Sequence, residues 1–556
     1  MRRRGLSGLR VLILIAVTLI LVACRNVTAT PNPTEPGRPP VSATASSVPA
    51  SATPASSPTP TRSSTPVPTA APMETPTGSP TTPSYEQALR PAFRSDENQF
   101  PNLTRYHLDL TLDVAKATLA GHQQIAYTNT ETVSLDALYL RLFPNTAGYG
   151  GSNAGVEAMT VTNLALNGER IEPVRELQGS ALRVPLQPPL APGSPANLTL
   201  DFVLALPTDG HLADSREPSG GYRQLGLYED VVALANAYPL IPVYDDEGWN
   251  IELAPSYGDA VFSDAAFFDV SITAPQTMTF AASGTCSLTD AGASETTWSC
   301  VAAPMRDFVA LLGGDYQLET QDAEGIAVNS VFYAGHEEGG LAALDYATRA
   351  VRLFNTRIGA YPFTELDVVE TPTLAGGIEY PGLVVINQSY YDADDGVSDR
   401  MEWVVVHEVL HQWWYSLVGN DQVDEPWLDE ALVQYCTLLY YEDRYGPDMT
   451  QRLLESVFQQ TYQELQEEGR DRPVGLPVAG YSRRDYAPVV YQKGPLYFHD
   501  LRQRVGSETF WEILKTYFER NRYRIARSED WLMAVEAVTG SQHRSLYNAW
   551  IQGTES

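Results

Sequence analysis

The sequence predicts a multidomain protein of β plus α/β class, in which an antiparallel β domain (84–318) precedes a mostly helical domain (319–556). In the first region, short runs of alternating apolar and polar residues are separated by turn residues, which is typical of half-buried β-strands. In the second region, apolar residues recur at the longer spacing of amphipathic helices. Its clearest elements are expected to be a helix at 339–358 and strands at 365–370 and 383–387.

The composition of the chain narrows the function classes. The chain has 556 residues, of which 43% are hydrophobic and 19% charged, as in ordinary globular proteins. Its formal net charge of −31 repels phosphate backbones, so we expect no nucleic-acid partner. Four Cys in a chain of this length exclude a small protein built on a disulfide framework.

Residues 1–23 have the pattern of an export signal. Four Arg flank or precede an apolar run at 11–22, which is too short to span a bilayer comfortably. The run ends in Leu21, Val22, Ala23 and Cys24, which resembles a bacterial lipoprotein signal, in which the Cys becomes the lipid-carrying N-terminus. We therefore expect Cys24 to anchor the protein in the cell membrane, on the extracytoplasmic face. A plain secretory signal or an N-terminal anchor helix is the alternative.

Residues 24–83 are predicted to be a disordered, lipid-anchored linker. Positions 27–83 hold 15 Pro, 13 Thr and 9 Ser, and the first aromatic residue of the chain is Tyr85. Such a segment cannot bury enough apolar surface to offset the entropy lost on ordering. We expect it to hold the folded part away from the membrane; a proline tract that binds another protein is the alternative.

The predicted β domain carries no recognisable catalytic motif, but it contains a candidate disulfide. Cys286 and Cys300 enclose thirteen residues of polar, Gly-containing sequence between two β-like runs. In an exported protein this spacing favours a disulfide across a hairpin, and two free thiols are the alternative. Cys436 lies in an apolar helical stretch and is expected to be a buried free thiol.

The segment HEVLH (407–411) lies in a helix-like stretch of the second region. Ser398 and Asp399 are candidate N-caps, and Gly419 is a candidate stop signal after the last turn. Histidines four residues apart lie on one helix face, so their imidazoles can converge on one metal ion.

Four residues around this motif have the composition of a catalytic zinc site. His407 and His411 supply two ligands, and Glu430, on the following helical stretch (425–435), supplies a carboxylate as the third. Glu408 lies beside the ligand face, where it can reach a metal-bound water without binding the metal. Two buried core histidines on an ordinary helix are the alternative.

The spacing of these residues resembles that of the zinc aminopeptidases of the membrane alanyl aminopeptidase family, gluzincins that include the leukotriene-hydrolase branch. The family pattern is HExxH, eighteen residues, then Glu, and residues 407–430 match it. The resemblance implies one Zn²⁺ per chain and a saddle-shaped β domain followed by a thermolysin-like domain. It also implies a short form, without the C-terminal helical domain that closes the cleft in many members.

Two further motifs carry the resemblance. GGIEYPG (376–382) is similar to the family's Gly-Ala-Met-Glu-Asn segment, which implies that Glu379 binds the substrate's α-amino group, with Gly376 and Gly377 in the same substrate-binding segment. VYQKG (490–494) is similar to Tyr-Glu-Lys-Gly, which implies that Tyr491 donates a hydrogen bond to the oxyanion of the tetrahedral intermediate. Tyr486, five residues earlier, is the rival for that role.

The sequence also departs from the family at the site. Asp429 and Ala431 replace the usual Asn and Gly beside the ligand Glu430, and Tyr380 replaces Asn after Glu379. These changes are expected to alter ligand orientation or the first subsite. A second amine-binding carboxylate, which the family's β domain often contributes, has no recognisable counterpart.

The function expected from this resemblance is that of a zinc-dependent aminopeptidase acting on peptides with a free N-terminus outside the cytoplasm. One alternative is a zinc endopeptidase with an open cleft, and another is a non-catalytic lipid-anchored binding protein with a decayed zinc site. None of the motifs indicates the oligomeric state or the side-chain preference.

Overall fold

A computed structural model describes residues 84–146, 149, 157–208, 221–253, 257–259, 261–392 and 396–554. The expected signal peptide, the lipidation site Cys24 and the linker lie outside the described residues. Over the ranges that are described, no helix combines the length and the apolar character needed to cross a bilayer.

Among the described residues, the N-terminal part is built around an eight-stranded sheet. Its strands follow the spatial order Thr285–Ala291, Glu295–Met305, Ala266–Pro275, Arg105–Asp113, Thr118–Thr128, Pro195–Ala205, Met159–Leu166 and Glu169–Arg170. The predicted alternation is present, since Leu108, Leu110 and Leu112 are buried on one face and the residues between them are more exposed. The strand Arg105–Asp113 therefore has one face toward the core.

One pair in this sheet corrects the antiparallel expectation. Arg105–Asp113 pairs in parallel with Ala266–Pro275, whereas the other neighbours pair antiparallel. A parallel pair needs a crossover connection, and the alternation of apolar residues contains no information about pairing direction.

Smaller sheets complete the β-rich part of the described chain. A four-stranded sheet has the order Thr279–Ala282, Ala310–Gly313, Val231–Leu234 and Leu225–Tyr228. A three-stranded sheet has the order Leu135–Arg141, Ala181–Leu190 and Val174–Glu176, and Tyr244–Asp245 pairs with Gly248–Trp249.

A mixed five-stranded sheet opens the C-terminal part. Its described strands have the order Tyr316–Asp322, Ala327–Tyr333, Glu365–Thr371, Leu383–Asn387 and Gly377–Ile378. The three inner strands pair in parallel, and the helix Glu337–Arg357 connects the first two of them, as in a βαβ unit. The short edge strand Gly377–Ile378 brings the GGIEYPG segment to the side of the sheet that faces the HEVLH helix.

Helices form the remainder of the C-terminal part. The α-helices are Met401–Leu410, Leu432–Tyr445, Pro447–Leu453, Gln460–Glu467, Gly494–Val505, Ser507–Asn521, Ser528–Thr539 and Arg544–Tyr547. π-helical turns occur at Trp427–Ala431, Leu454–Gln459, Pro488–Lys493 and Asn548–Gln552. The expectation of a β-rich part followed by a mostly helical part is confirmed.

A buried arginine joins the two parts next to the HEVLH helix. Arg306 is 2% exposed and donates hydrogen bonds to the carbonyl oxygens of Ser263 (3.0 Å), Tyr415 (2.7 Å) and Arg524 (2.7 Å). Gly419 is needed beside it, because a Cβ there would lie 2.2 Å from the Arg306 Cζ. The backbone that follows the HEVLH helix is therefore held against the β-rich part.

Candidate active site

The HEVLH sequence ends a short helix, Met401–Leu410, that is almost wholly buried. Arg400 directly precedes the helix, and the expected cap Ser398 lies one turn earlier, where its Oγ atom accepts a hydrogen bond from the N–H of Arg400 (3.3 Å). The helix stops nine residues before Gly419, so the expectation of a stop at Gly419 is wrong. The chain instead leaves the helix through a tight turn in which Tyr415 has a φ of 125°. A non-glycine residue in this conformation is strained, and such strain is concentrated at functional sites.

His407 and His411 face each other, as the spacing predicts. They are 7% and 0% exposed, and their Nε2 atoms are 3.2 Å apart. The Nδ1 atom of His411 is 3.0 Å from the carbonyl oxygen of Trp414, which can only accept. The proton of His411 is thus assigned to Nδ1, and its Nε2 lone pair is free to bind a metal.

Glu430 joins the two histidines from the next helical segment. It lies in the π-helical turn Trp427–Ala431, which leads into the helix Leu432–Tyr445. Its Oε2 atom is 3.3 Å from Nε2 of His407 and 3.6 Å from Nε2 of His411. π-helical turns are frequent at functional sites.

These three ligand atoms fit a tetrahedral zinc ion. Two ligands at about 2.0–2.1 Å from a tetrahedral centre are about 3.3 Å apart, which matches the observed separations. Glu430 is only 4% exposed, and its buried Oε2 atom has no hydrogen-bond partner. A buried carboxylate oxygen without a donor is costly, and a cation between the three residues would satisfy it.

The electrostatics of the cluster also favour positive charge. Burial lowers the pKa of His411, but the carboxylates of Glu379 and Glu430 overcome this effect and raise it well above its ordinary value. Burial raises the pKa of Glu430, but the charge of His411 and the close approach of both imidazoles to its carboxylate hold the pKa below its ordinary value. The site therefore stabilises a cation next to an ionised Glu430.

Glu408 projects between the metal ligands and the GGIEYPG segment. It is 5% exposed, and one of its carboxylate oxygens lies within 4.8 Å of ligand atoms of Glu379 and His411. A Cβ on Gly377 would lie 2.5 Å from the Cγ and Oε1 atoms of Glu408, so only glycine allows this approach. Burial and the charge of Glu379 raise the pKa of Glu408 well above its ordinary value, which suits a general base.

Glu379 follows the edge strand Gly377–Ile378 and is 7% exposed. Burial raises its pKa, which the charge of His411 partly offsets and that of Glu430 reinforces. The carbonyl oxygen of Gly376 accepts a hydrogen bond from the N–H of Asn387 (3.0 Å), which fixes the start of the GGIEYPG segment. The two glycines thus shape the backbone, and Glu379 supplies the charge.

Asp259 is the site residue that the sequence analysis missed. Its carboxylate lies within 4.8 Å of carboxylate oxygens of Glu379 and Glu430. Burial, followed by the charges of Glu379 and Glu430, raises its pKa well above its ordinary value. It lies in an irregular segment of the β-rich part, and the only local signal is the preceding Gly258, which has a φ of 75°. Asp259 thus adds a carboxylate from the β-rich part to the group formed by Glu379 and Glu430.

Tyr491, not Tyr486, contacts the metal ligands. It lies in the π-helical turn Pro488–Lys493 and donates a 2.6 Å hydrogen bond to Oε1 of Glu430. Burial and the charge of Glu430 raise the pKa of Tyr491 well above its ordinary value, so the phenol keeps its proton. Tyr486 packs edge-on against Tyr491, with ring centroids 5.9 Å apart, and a Cβ on Gly258 would lie 3.1 Å from its hydroxyl oxygen.

Of the three residues that differ from the family pattern, one is hydrogen-bonded beside the ligand Glu430 and two are buried in apolar surroundings. Asp429 accepts hydrogen bonds from Gln422 Nε2 (2.9 Å) and from the N–H of Glu430 (2.7 Å), and burial and the charge of Glu430 raise its pKa to about 7. Ala431 is fully buried. Tyr380 packs into an apolar cluster that includes Val231, Val369 and Val385.

The predicted cysteine pair lies in the eight-stranded sheet. Cys286 and Cys300 form a disulfide between the neighbouring strands Thr285–Ala291 and Glu295–Met305. Cys436 is a buried free thiol, and burial raises its pKa to about 12.

Comparisons with known proteins agree with this geometry. Residues 342–550 match the Peptidase family M1 domain. Aminopeptidase M1-A of Oryza sativa subsp. japonica is 28% identical over 256 residues, which cover 44% of this chain and 29% of that protein. Aminopeptidase N of Lactococcus lactis subsp. lactis is 27% identical over 230 residues, which cover 38% of this chain and 26% of that protein. The chain thus matches less than a third of the length of these relatives.

The fold is similar to that of an M1 zinc metallopeptidase from Deinococcus radiodurans. Its crystal structure covers 82% of this chain and 95% of its own, with a TM-score of 0.61 and 20% sequence identity. A mutant of that enzyme bound to a Tyr-Ser-Ala substrate gives a TM-score of 0.61 at 21% identity. The similarity therefore extends over both the β-rich and the helical parts. Residues 342–550 thus match the Peptidase family M1 domain in sequence, and the fold of both parts is similar to that of a solved M1 zinc metallopeptidase.

Proposed function

We propose that the protein is a zinc-dependent aminopeptidase that removes N-terminal residues from peptides outside the cytoplasm. The observation that carries the proposal is that two clusters share Glu430. His407, His411 and Glu430 form a zinc-binding set, and Asp259 and Glu379 place two more carboxylates within 4.8 Å of Glu430. A metal centre and an anionic pocket beside it suit a peptide whose first residue carries a free ammonium group.

Each residue of the site has a separate role in the proposed hydrolysis. His407, His411 and Glu430 would hold one Zn²⁺, which supplies a Lewis acid for the scissile carbonyl and activates water at neutral pH. Glu408 takes the proton of the attacking water and returns it to the leaving amine. Tyr491, whose phenol keeps its proton, donates a hydrogen bond to the oxygen on which negative charge develops.

The carboxylates of Asp259 and Glu379 select the bond to be cut. An ammonium nitrogen and the carbonyl carbon of its own residue are only about 2.5 Å apart, whereas the next residue is about 3.8 Å further along the chain. Because both carboxylates adjoin the zinc ligands, an ammonium bound there presents the first carbonyl to the metal centre. A substrate with a blocked amine would leave both carboxylates without a donor, which costs binding energy.

The location outside the cytoplasm is also part of the proposal. The segment that ends at Cys24 supports export and lipid anchoring to the membrane. The disulfide between Cys286 and Cys300 supports an oxidising compartment, because such bonds are rare in the cytosol.

The test is hydrolysis of a panel of aminoacyl fluorogenic amides by the full chain. Each amide is supplied with a free and with an acetylated amine, with and without a zinc chelator. The proposal predicts chelator-sensitive cleavage of the free-amine substrates alone. Equal cleavage of the acetylated substrates would make the protein an endopeptidase, and absence of cleavage would refute the enzymatic proposal.

A further inference from the structure

Gln412 connects the metal-binding segment to the amine-binding segment. It directly follows His411 and is 0% exposed. Its Oε1 atom accepts a hydrogen bond from the N–H of Gly382 (2.8 Å), and its Nε2 atom donates to the carbonyl oxygen of Tyr380 (2.9 Å). A single side-chain amide thus binds the backbone on both sides of Pro381, directly after Glu379.

This pair of hydrogen bonds prevents the segment Tyr380–Gly382 from sliding along its chain direction. A donor and an acceptor on one rigid amide can be satisfied together only when the backbone groups of Tyr380 and Gly382 are both in register. A third hydrogen bond holds the same segment, because the N–H of Asp367 donates to the carbonyl oxygen of Gly382 (3.0 Å). A shift of the segment would therefore break buried hydrogen bonds, which is unfavourable.

Glycines keep the two segments close enough for this contact. Gly377 lies against the side chain of Glu408. Gly382 has a φ of 73°, and a Cβ on it would lie only 2.9 Å from Cε of Met305. The separation between Glu379 and His411 is consequently set by tight packing and by the Gln412 amide.

We propose that Gln412 is a positioning residue that fixes the distance between the amine anchor Glu379 and the metal ligand His411, and thereby confines cleavage to the first peptide bond. This inference rests on the proposed aminopeptidase function. Gln412 does not contact the substrate; it acts through Glu379. A misplacement of the anchor by about 1 Å can cost on the order of a hundredfold in rate, so the effect is measurable.

The test compares two zinc-binding probes on the zinc-loaded full chain. Leucine hydroxamate carries a free amine, and N-acetyl-leucine hydroxamate lacks it, while both have the same metal-binding group. In Gln412→Met, which has a similar size but cannot form the two hydrogen bonds, we expect the Kd of leucine hydroxamate to rise about tenfold or more. The Kd of the acetylated probe is expected to stay within about twofold, because it does not use Glu379.

Gln123→Met is the matched control. Gln123 is also 0% exposed, and its Nε2 atom donates to a backbone carbonyl, that of Pro239 (2.8 Å), in the β-rich part. It should leave the ratio of the two Kd values unchanged. Gln412→Asn, which keeps the amide but shortens its reach, provides a second measurement where Gln412→Met fails to fold.

The outcomes separate the two proposals. If the wild-type chain binds both probes equally, the amine anchor itself is wrong. If the wild-type chain prefers the free-amine probe and both Gln412 variants keep the full preference, the role of Gln412 is overturned. Equal weakening of both probes would indicate a general structural effect and would also overturn it.

Discussion

The site has two corners that differ in how the chain builds them. The metal corner consists of His407, His411 and Glu430, which lie within 24 residues of each other on successive helical segments. The amine corner consists of Asp259 and Glu379, which come from the β-rich part and from the edge of the mixed sheet. The chemistry is thus encoded locally, whereas the choice of the bond depends on how distant segments assemble.

The two corners also differ in electrostatics. In the metal corner, imidazoles accompany the carboxylate and keep the pKa of Glu430 below its ordinary value. In the amine corner, burial and neighbouring carboxylates raise the pKa values of Asp259 and Glu379. The amine corner lacks a compensating cation of its own among the described residues, and a substrate ammonium would supply one.

Removal of a metal ligand should have the largest effect. Glu430→Gln replaces a charged ligand by a neutral one, and we expect it to lose zinc on dialysis and with it all measurable hydrolysis. Asp429→Asn is the matched control one residue away, and it should keep about one zinc per chain by elemental analysis. Full activity of Glu430→Gln with zinc still bound would contradict the assignment of the metal corner.

Glu408→Gln should separate chemistry from metal binding. The amide cannot accept the proton of the attacking water, so we expect kcat to fall by about 10³- to 10⁴-fold. Zinc content should stay that of the wild type, because Glu408 is not a ligand. A wild-type rate for this variant would show that another group is the general base.

Tyr491→Phe should have a smaller effect that is confined to kcat. Loss of one oxyanion donor typically costs about 10²- to 10³-fold. Because the pKa of Tyr491 is raised well above its ordinary value, it does not titrate near neutral pH. The pH profile of kcat should therefore become lower without a change in its alkaline limb. Tyr486→Phe is the control, and an equal loss in that variant would reassign the donor.

Asp259→Asn should affect the amine corner alone. The substrate ammonium would lose one of two carboxylate partners, so we expect KM for free-amine substrates to rise about tenfold, with a smaller change in kcat. Steady-state kinetics on one free-amine amide and zinc analysis check this. An unchanged KM would remove Asp259 from the amine corner.

The contrast between the corners explains what the sequence could predict. The HEVLH motif, Glu430 and the strand at 383–387 depend on local spacing, and the structure places them as expected. The predicted end of the HEVLH helix at Gly419 is wrong, since the helix ends at Leu410 and is followed by a turn in which Tyr415 has a φ of 125°. No sequence signal marks that conformation. The position of Asp259 depends on packing between regions that are more than a hundred residues apart, for which periodicity gives no information.

The most direct test of the account is the specificity of Glu379→Gln for free and acetylated aminoacyl amides. The account predicts that kcat/KM for the free-amine substrate falls about 10- to 100-fold, as expected for the loss of a charged hydrogen-bond acceptor, while zinc content and the rate on the acetylated substrate stay unchanged. The preference for a free amine would then fall by the same factor. An equal fall on both substrates, or a preference that survives in full, would contradict the division of the site into a metal corner and an amine corner.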